Sequence, residues 1–220
     1  MVDDRGLLDS RRPLTAEERL AIEHEFEEGF GLLSQIEQPC VTLYGSARLP
    51  ESDPACVAAR AVGREFAGRG WAMITGGGPG VMEAANRGAQ EAGGLSVGLG
   101  IQLPHEQGIN PYVDLAYTFK HFYARKVCFV KPAEGFVVMP GGIGTLDELF
   151  EVLVLIQTGK TAKYPVVLYD SAFWGGLVDW MREQLLARGM ISKEDFDLFF
   201  VCDDAARAAD FVVESYKLNS

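Results

Sequence analysis

The chain has no Cys-x-x-Cys pair, and its three histidines, His24, His105 and His121, form no His-x-x-x-His pair. Metal sites usually declare themselves by such spacings, so no metal is expected. The four cysteines, Cys40, Cys56, Cys128 and Cys202, lie far apart, and Cys40, Cys128 and Cys202 sit in or beside apolar runs. Buried reduced thiols are the expectation, not a disulfide frame. No apolar run approaches the roughly 20 residues of a membrane span. The opening residues MVDDRGLLDSRRPL carry acids and no apolar core, unlike a secretory leader. A cytoplasmic compartment is therefore expected. Positive charge is also scarce, with 20 basic residues against 31 acidic ones and a net charge of −11. Nucleic-acid binding rests on phosphate neutralisation, and anionic lipid repels an acidic protein. Neither partner is expected. An anionic ligand would need a local positive site built from backbone dipoles and a few Arg or Lys side chains.

What is present suits one α/β domain. The 220 residues are 48% hydrophobic, enough for a substantial core. Residues 1–37 read as an extension. Its helix starts at a capping box, Thr15-x-x-Glu18, and continues through Ile22, Phe26, Phe30 and Leu33 with glutamates between them. From residue 38 to 220, short apolar runs alternate with helical periods. Strands are predicted at 40–44, 72–75, 95–99, 115–119, 135–139, 165–169 and 198–202. Helices are predicted at 54–69, 81–92, 122–131, 145–157, 173–187 and 204–216. Continuous apolar strands alternating with helices predict a doubly wound, Rossmann-like, mostly parallel sheet covered on both faces, with the N-terminal helix as an addition.

Two strands run into glycine clusters that each open a helix: Gly76-Gly77-Gly78-Pro79-Gly80 and Gly141-Gly142-Ile143-Gly144. In such sheets ligands bind where strand ends lead into helix N-termini. Glycine lets backbone approach a ligand, and the helix N-terminus offers unpaired N–H groups. Tight turning alone would explain one such loop, but two at strand ends favour anion binding. Neither matches the dinucleotide fingerprint G-x-G-x-x-G. Gly159-Lys160-Thr161 lacks the earlier glycine of a P-loop, since Val154 stands there.

The segment Pro140-Gly141-Gly142-Ile143-Gly144-Thr145-Leu146-Asp147-Glu148 fits P-G-G-x-G-T-x-x-E and resembles the signature of the Lonely Guy family. These are cytokinin riboside 5′-monophosphate phosphoribohydrolases, often mislabelled lysine decarboxylases. The first glycine loop, continued as Val81-Met82-Glu83-Ala84-Ala85-Asn86, and Phe122-Tyr123-Ala124-Arg125-Lys126 resemble two further family segments. The resemblance implies hydrolysis of a purine nucleoside 5′-monophosphate to free base and ribose 5-phosphate. It implies Arg125 and Glu148 as the catalytic pair. It implies that Gly141, Gly142, Gly144 and Thr145 hold the 5′-phosphate, with Lys126 alongside. Gly78 and Gly80 of the first loop are further candidate substrate-binding positions, and Glu106 sits where some members have a substrate-contacting glutamate. No cofactor is implied. A homodimer, or a higher assembly of dimers, is expected.

The chemistry agrees with these residue types. Glycosidic cleavage passes through an oxocarbenium-like state, which a fixed carboxylate stabilises. Glu148 can supply it, although Thr145-x-x-Glu148 is itself a capping-box pattern. Leu146, Leu149, Phe150 and Leu153 are the expected buried stripe, leaving Glu148 and Glu151 together on another face, where each can raise the other's pKa. Arg125 stays protonated, so its role is electrostatic. His121, one turn before Arg125, reads as structural. Two rivals remain. Lysine decarboxylation with pyridoxal phosphate needs a Schiff-base lysine, for which Lys126 is the candidate near the motifs. A nucleotide or cofactor carrier with the same loops would not need both Arg125 and Glu148.

Overall fold

A computed structural model describes residues 11–103 and 108–219 of the chain. Seven strands are present among them: β1 (Cys40–Tyr44), β2 (Ala72–Thr75), β3 (Ser96–Ile101), β4 (Leu115–Phe119), β5 (Ala133–Val138), β6 (Val166–Tyr169) and β7 (Phe200–Cys202). They form one parallel sheet in the order β4-β3-β2-β1-β5-β6-β7. The helices are α1 (Ala16–Leu33), α2 (Pro54–Gly68), α3 (Val81–Glu91), α4 (Phe122–Val130), α5 (Ile143–Gln157), α6 (Ser171–Trp180) and α7 (Ala205–Asn219). The doubly wound expectation holds. One apolar layer joins the sheet to Leu33, Phe129, Leu149 and Trp174 of α1, α4, α5 and α6. The other joins it to Phe66, Val81 and Val212 of α2, α3 and α7. Strands β1, β2 and β3 are buried at every residue, as a sheet covered on both faces requires. The edge strand β4 alternates instead.

Several boundaries differ from the sequence reading, two of them through a change of helix type. The helix expected over 173–187 is α-helical only to Trp180 and continues as a π-helical stretch, Met181–Leu186. The last strand is shorter than expected because Lys193–Leu198 forms a 3₁₀ helix.

The N-terminal helix begins at Thr15 as the sequence predicts. Glu18 N–H donates to Thr15 Oγ1 at 3.2 Å, and Thr15 N–H donates to the Glu18 carboxylate at 2.7 Å. The Ile22–Phe26–Phe30–Leu33 stripe packs on the core only in part, through Leu33, Phe26 and Phe30. The buried positions are Glu18, Glu25, Gly29 and Leu33, with Phe26 and Phe30 half-buried beside them. The reason is a close approach to α4. A Cβ on Gly29 would stand 2.8 Å from Cys128 Sγ and 3.0 Å from the Phe119 ring. Cys128 and Phe119 are fully buried and have nowhere to go. Gly29→Ala should therefore lower the melting temperature: overpacking costs about 1–3 kcal/mol, more than the ~1 kcal/mol alanine gains over glycine in a helix. A thermal melt at or above that of the unsubstituted protein would show that α1 can slide away from α4 at no cost.

Candidate active site

The strand order reverses between β1 and β5, so the connections leaving these two neighbours diverge and open a crevice. A cleft of about 470 Å³ lies there. Its walls include Gly45 and Ser46 after β1, Gly76 and Gly78 after β2, and Gly142, Gly144 and Thr145 after β5. Arg125 from α4 and Glu148 from α5 face it.

Helix α5 starts earlier than the sequence suggests. Its N-cap is Gly142, which has no side chain to cap with, and Leu146 N–H donates to Gly142 O at 3.0 Å. Thr145 thus lies within the first turn, and the Thr145–Glu148 capping box does not form. The first-turn N–H groups carry the positive end of the helix dipole and have no intrahelical acceptor. Nothing stands within 4 Å of where a Cβ would be on Gly142 or Gly144, so a ligand can approach this backbone closely. Gly141 differs: a Cβ there would collide with the Thr145 side chain. Glycine at 141 lets the turn close over Thr145, and it is not among the residues lining the cleft.

Arg125 is 8% exposed and held on three sides. Its Nε donates to Leu99 O at 2.6 Å, its Nη2 reaches Gly76 O at 3.5 Å, and its guanidinium lies 4.9 Å from the Phe129 ring centre. Glycine at 76 makes this possible, because a Cβ would strike Arg125 Nη2. The remaining guanidinium nitrogen, Nη1, stands 3.8 Å from Glu148 Oε1. Burial pushes the Glu148 carboxyl up from 4.5 to about 7, against the pull of Arg125, with Asp147 adding to the rise and Glu151 contributing least. The sequence reading expected a raised pKa from the Glu151 neighbour; the direction agrees, but loss of solvent is the main cause. The buried stripe of α5 is Leu149, Val152, Leu153 and Ile156, with Leu146 and Phe150 only half-buried.

Lys126 points elsewhere. Its ammonium contacts Asp147 at 2.8 Å and Glu151 at 3.3 Å, and it does not line the cleft. Burial opposes its charge, but the Asp147 hydrogen bond and the Glu151 charge outweigh it and raise its pKa. A Schiff-base lysine has to be neutral to attack, so this environment does not suit pyridoxal phosphate. Among the described residues no cluster of His, Cys, Asp and Glu could hold a metal ion.

The first glycine loop is shaped by buried amides that the sequence reading missed. Asn110 Nδ2 reaches the carbonyls of Gly77 and Gly78 at 3.0 and 3.1 Å and Asn86 Oδ1 at 3.0 Å. Thr75 Oγ1 donates to Asn86 Oδ1 at 2.6 Å, and Asn86 Nδ2 donates to Ser96 Oγ at 2.8 Å. Asn86→Ala would leave several buried groups without partners, at about 1–3 kcal/mol each. The expected result is a loss of at least ~2 kcal/mol in denaturant unfolding; a loss below ~0.5 kcal/mol would show that water replaces the amide.

Of the residues proposed from sequence, the cleft gathers Arg125, Glu148, Gly78, Gly142, Gly144 and Thr145. Gly80 stands outside it, lining a recess against α2. Its φ of 69° and a would-be Cβ only 2.6 Å from Ser46 O explain the glycine structurally. Glu106 falls outside the described residues, as does His105. His121 is fully buried and does not line the cleft. The structure adds Tyr44 and Arg48. Burial, helped by Glu148, holds the Tyr44 phenol well above its ordinary pKa, so it stays neutral. Arg48 is an exposed cation at the cleft that makes no ion pair with the described residues. Its only signal in the sequence is its place just after Gly45-Ser46.

Residues 82–212 match the family model described as "possible lysine decarboxylase". A "cytokinin riboside 5′-monophosphate phosphoribohydrolase" of Mycobacterium tuberculosis is 34% identical over 155 residues, covering 67% of this chain and 81% of its own. The chain belongs to the Lonely Guy family. The family's relatives extend to a "pyrimidine/purine nucleotide 5′-monophosphate nucleosidase" of Escherichia coli, 32% identical over 173 residues, which cover 73% of this chain and 37% of that longer one. Among solved structures, the molybdenum cofactor carrier protein of Chlamydomonas reinhardtii superposes with a TM-score of 0.59 at 25% identity, over 83% of this chain and 99% of the carrier. The Lonely Guy fold thus serves proteins named as enzymes and proteins named as carriers.

Proposed function

We propose that the protein hydrolyses the N-glycosidic bond of a purine nucleoside 5′-monophosphate, AMP or an N6-modified AMP of the cytokinin type, giving free base and ribose 5-phosphate. It is an enzyme of the N-glycosidase class, and the names of its phosphoribohydrolase and nucleosidase relatives support this. The observation that carries the reading is the Arg125–Glu148 pair, 3.8 Å apart in a cleft that also holds the open start of α5. The N–H groups at Gly142–Thr145 bind the 5′-phosphate, and exposed Arg48 adds charge at the rim. Glu148 faces C1′. As a carboxylate it stabilises the positive charge that develops there and takes a proton from the attacking water. The C1′–N bond breaks with its electron pair going to the base, and the proton returns to a base nitrogen. Arg125 steadies the negative charge of the departing base or the phosphate. Lys126 acts through Asp147 and Glu151, fixing the helix face that carries Glu148.

Ile143 and Val154 on α5 and Val127 on α4 are exposed apolar side chains beside this region, which supports a homodimer or a larger assembly. No helix among the described residues is long and apolar enough to cross a membrane.

Chromatography of AMP and adenosine incubated with the protein tests the reading. Adenine and ribose 5-phosphate should appear from AMP, and adenine should form at least about tenfold more slowly from adenosine, because the anion-site contacts are lost. Equal rates would remove the phosphate role of the α5 loop. Tight binding of AMP with no release of base would favour the carrier reading. An N6-alkylated AMP run alongside ranks the two bases.

A further inference from the structure

Glu25 belongs to the N-terminal helix and is not among the residues lining the cleft, and it is only 4% exposed. Its carboxylate has three partners, all at the start of α4. It accepts the Lys120 N–H at 2.6 Å and the His121 N–H at 3.2 Å, and it contacts His121 Nδ1 at 2.8 Å. His121 is the N-cap of α4, but its side chain caps nothing. Glu25 therefore does from another helix what the N3 carboxylate of a capping box does locally: it accepts the N-cap N–H and places negative charge at the start of the helix.

The His121 ring is fully buried, stacks 5.2 Å from Tyr123, and leaves Nε2 without a partner among the described residues. A buried polar atom left bare costs stability, so an apolar residue would serve packing better. What the imidazole adds is the Nδ1 contact to Glu25. That contact fixes the cap of a nine-residue helix whose next turn carries Arg125, and Arg125 N–H donates to His121 O at 3.3 Å.

We propose that Glu25 and His121 form a buried positioning pair that sets the height and rotation of α4, and thereby aims the Arg125 guanidinium at the cleft. The proposal rests on the reading of Arg125 as part of the catalytic pair. The close contact at Gly29, one turn after Glu25, brings α1 near enough for the carboxylate to reach. On this account the N-terminal helix is part of the catalytic scaffold and not a cover laid over it.

The test compares Glu25→Gln with the unsubstituted protein. Glutamine keeps the size but loses the charge and turns an NH₂ toward backbone donors. We expect kcat on AMP to fall about tenfold to a hundredfold, the range for a small misplacement of a catalytic group, with a smaller change in KM. Nitrogen–proton NMR gives a readout independent of turnover. The Arg125 Nε–H resonance, identified by its absence in Arg125→Lys, should shift and exchange faster as its hydrogen bond to Leu99 loosens. Glu25→Asp keeps the charge, and it should fold and fall between the two in kcat and in the resonance shift. It decides the matter if Glu25→Gln does not fold. A lower melting temperature with kcat and resonance unchanged would mean that the pair only stabilises the fold, and would overturn the proposal. An unsubstituted protein that releases no base from AMP would sink the functional reading instead, while the resonance comparison would still decide whether Glu25 positions Arg125.

Discussion

Glu148→Gln is expected to fold normally and to lose about two to four orders of magnitude in AMP turnover, the range for one acid–base or electrostatic group. Glutamine matches the shape and removes the charge that faces the oxocarbenium state. Because no capping box forms at Thr145–Glu148, the change removes no helix cap. The pH dependence follows from the raised carboxyl. In the folded protein Glu148 titrates at about 7, against 4.5 in the unfolded chain, because it is buried. Between those values the folded form holds a proton that the unfolded form has lost. Stability therefore falls as pH rises through this window, and the whole cost, on the order of 3 kcal/mol, applies above it. Glu148→Gln should melt higher than the unsubstituted protein at pH 8, with that advantage gone by pH 4. Activity should behave oppositely: kcat/KM rises with pH through about 7 as the working carboxylate forms. Near-normal turnover in the glutamine variant would take Glu148 out of the mechanism and turn attention to Glu151 or Glu106.

Arg125→Lys is the second large effect. Lysine keeps the charge but cannot reach Leu99 O, Gly76 O and the Glu148 side together, since it lacks the planar fork. Turnover should fall about 10²–10³-fold, as when one fixed donor to a developing charge is removed, while AMP affinity by calorimetry changes much less. A lysine variant within about threefold of normal turnover would mean that charge alone suffices at this position. The pair also separates enzyme from carrier, because a carrier would release no base for either substitution to abolish.

How much of this could be read beforehand depended on whether the signal was local. β1, β2 and β3 are apolar runs buried on both faces, and such runs stand out in any sequence. The Thr15 capping box spans four residues and formed as read. The Thr145–Glu148 pattern is just as local and did not form, because the helix nucleates earlier, at glycines that carry no capping side chain. Glu25 counted only as one of the glutamates between the apolar positions of the N-terminal helix, whereas it is buried and meets the start of α4. Asn86 and Asn110 are ordinary polar residues until the chain folds and brings them within 3.0 Å. Lys126 was placed beside the phosphate by the family resemblance, but adjacent positions on a helix do not face the same way, and it is Arg125 that lines the cleft.

The reversal between β1 and β5 also bears on how the chain comes off the ribosome. β1 pairs on one edge with β2, starting at Cys40↔Ala72, but its other edge is completed only by Ala133–Val138. During synthesis, residues 40–119 can assemble β1 to β4 with their helices while that edge still lies bare. A bare, largely apolar parallel edge is a template for the wrong strand, from this chain or another. The step that seals it is the same step that brings the α5 loop opposite Gly45 and Ser46. A nascent chain has no nucleotide cleft until its most exposed edge is closed, so free nucleotide can bind and stabilise only molecules that have already passed the point of greatest aggregation risk.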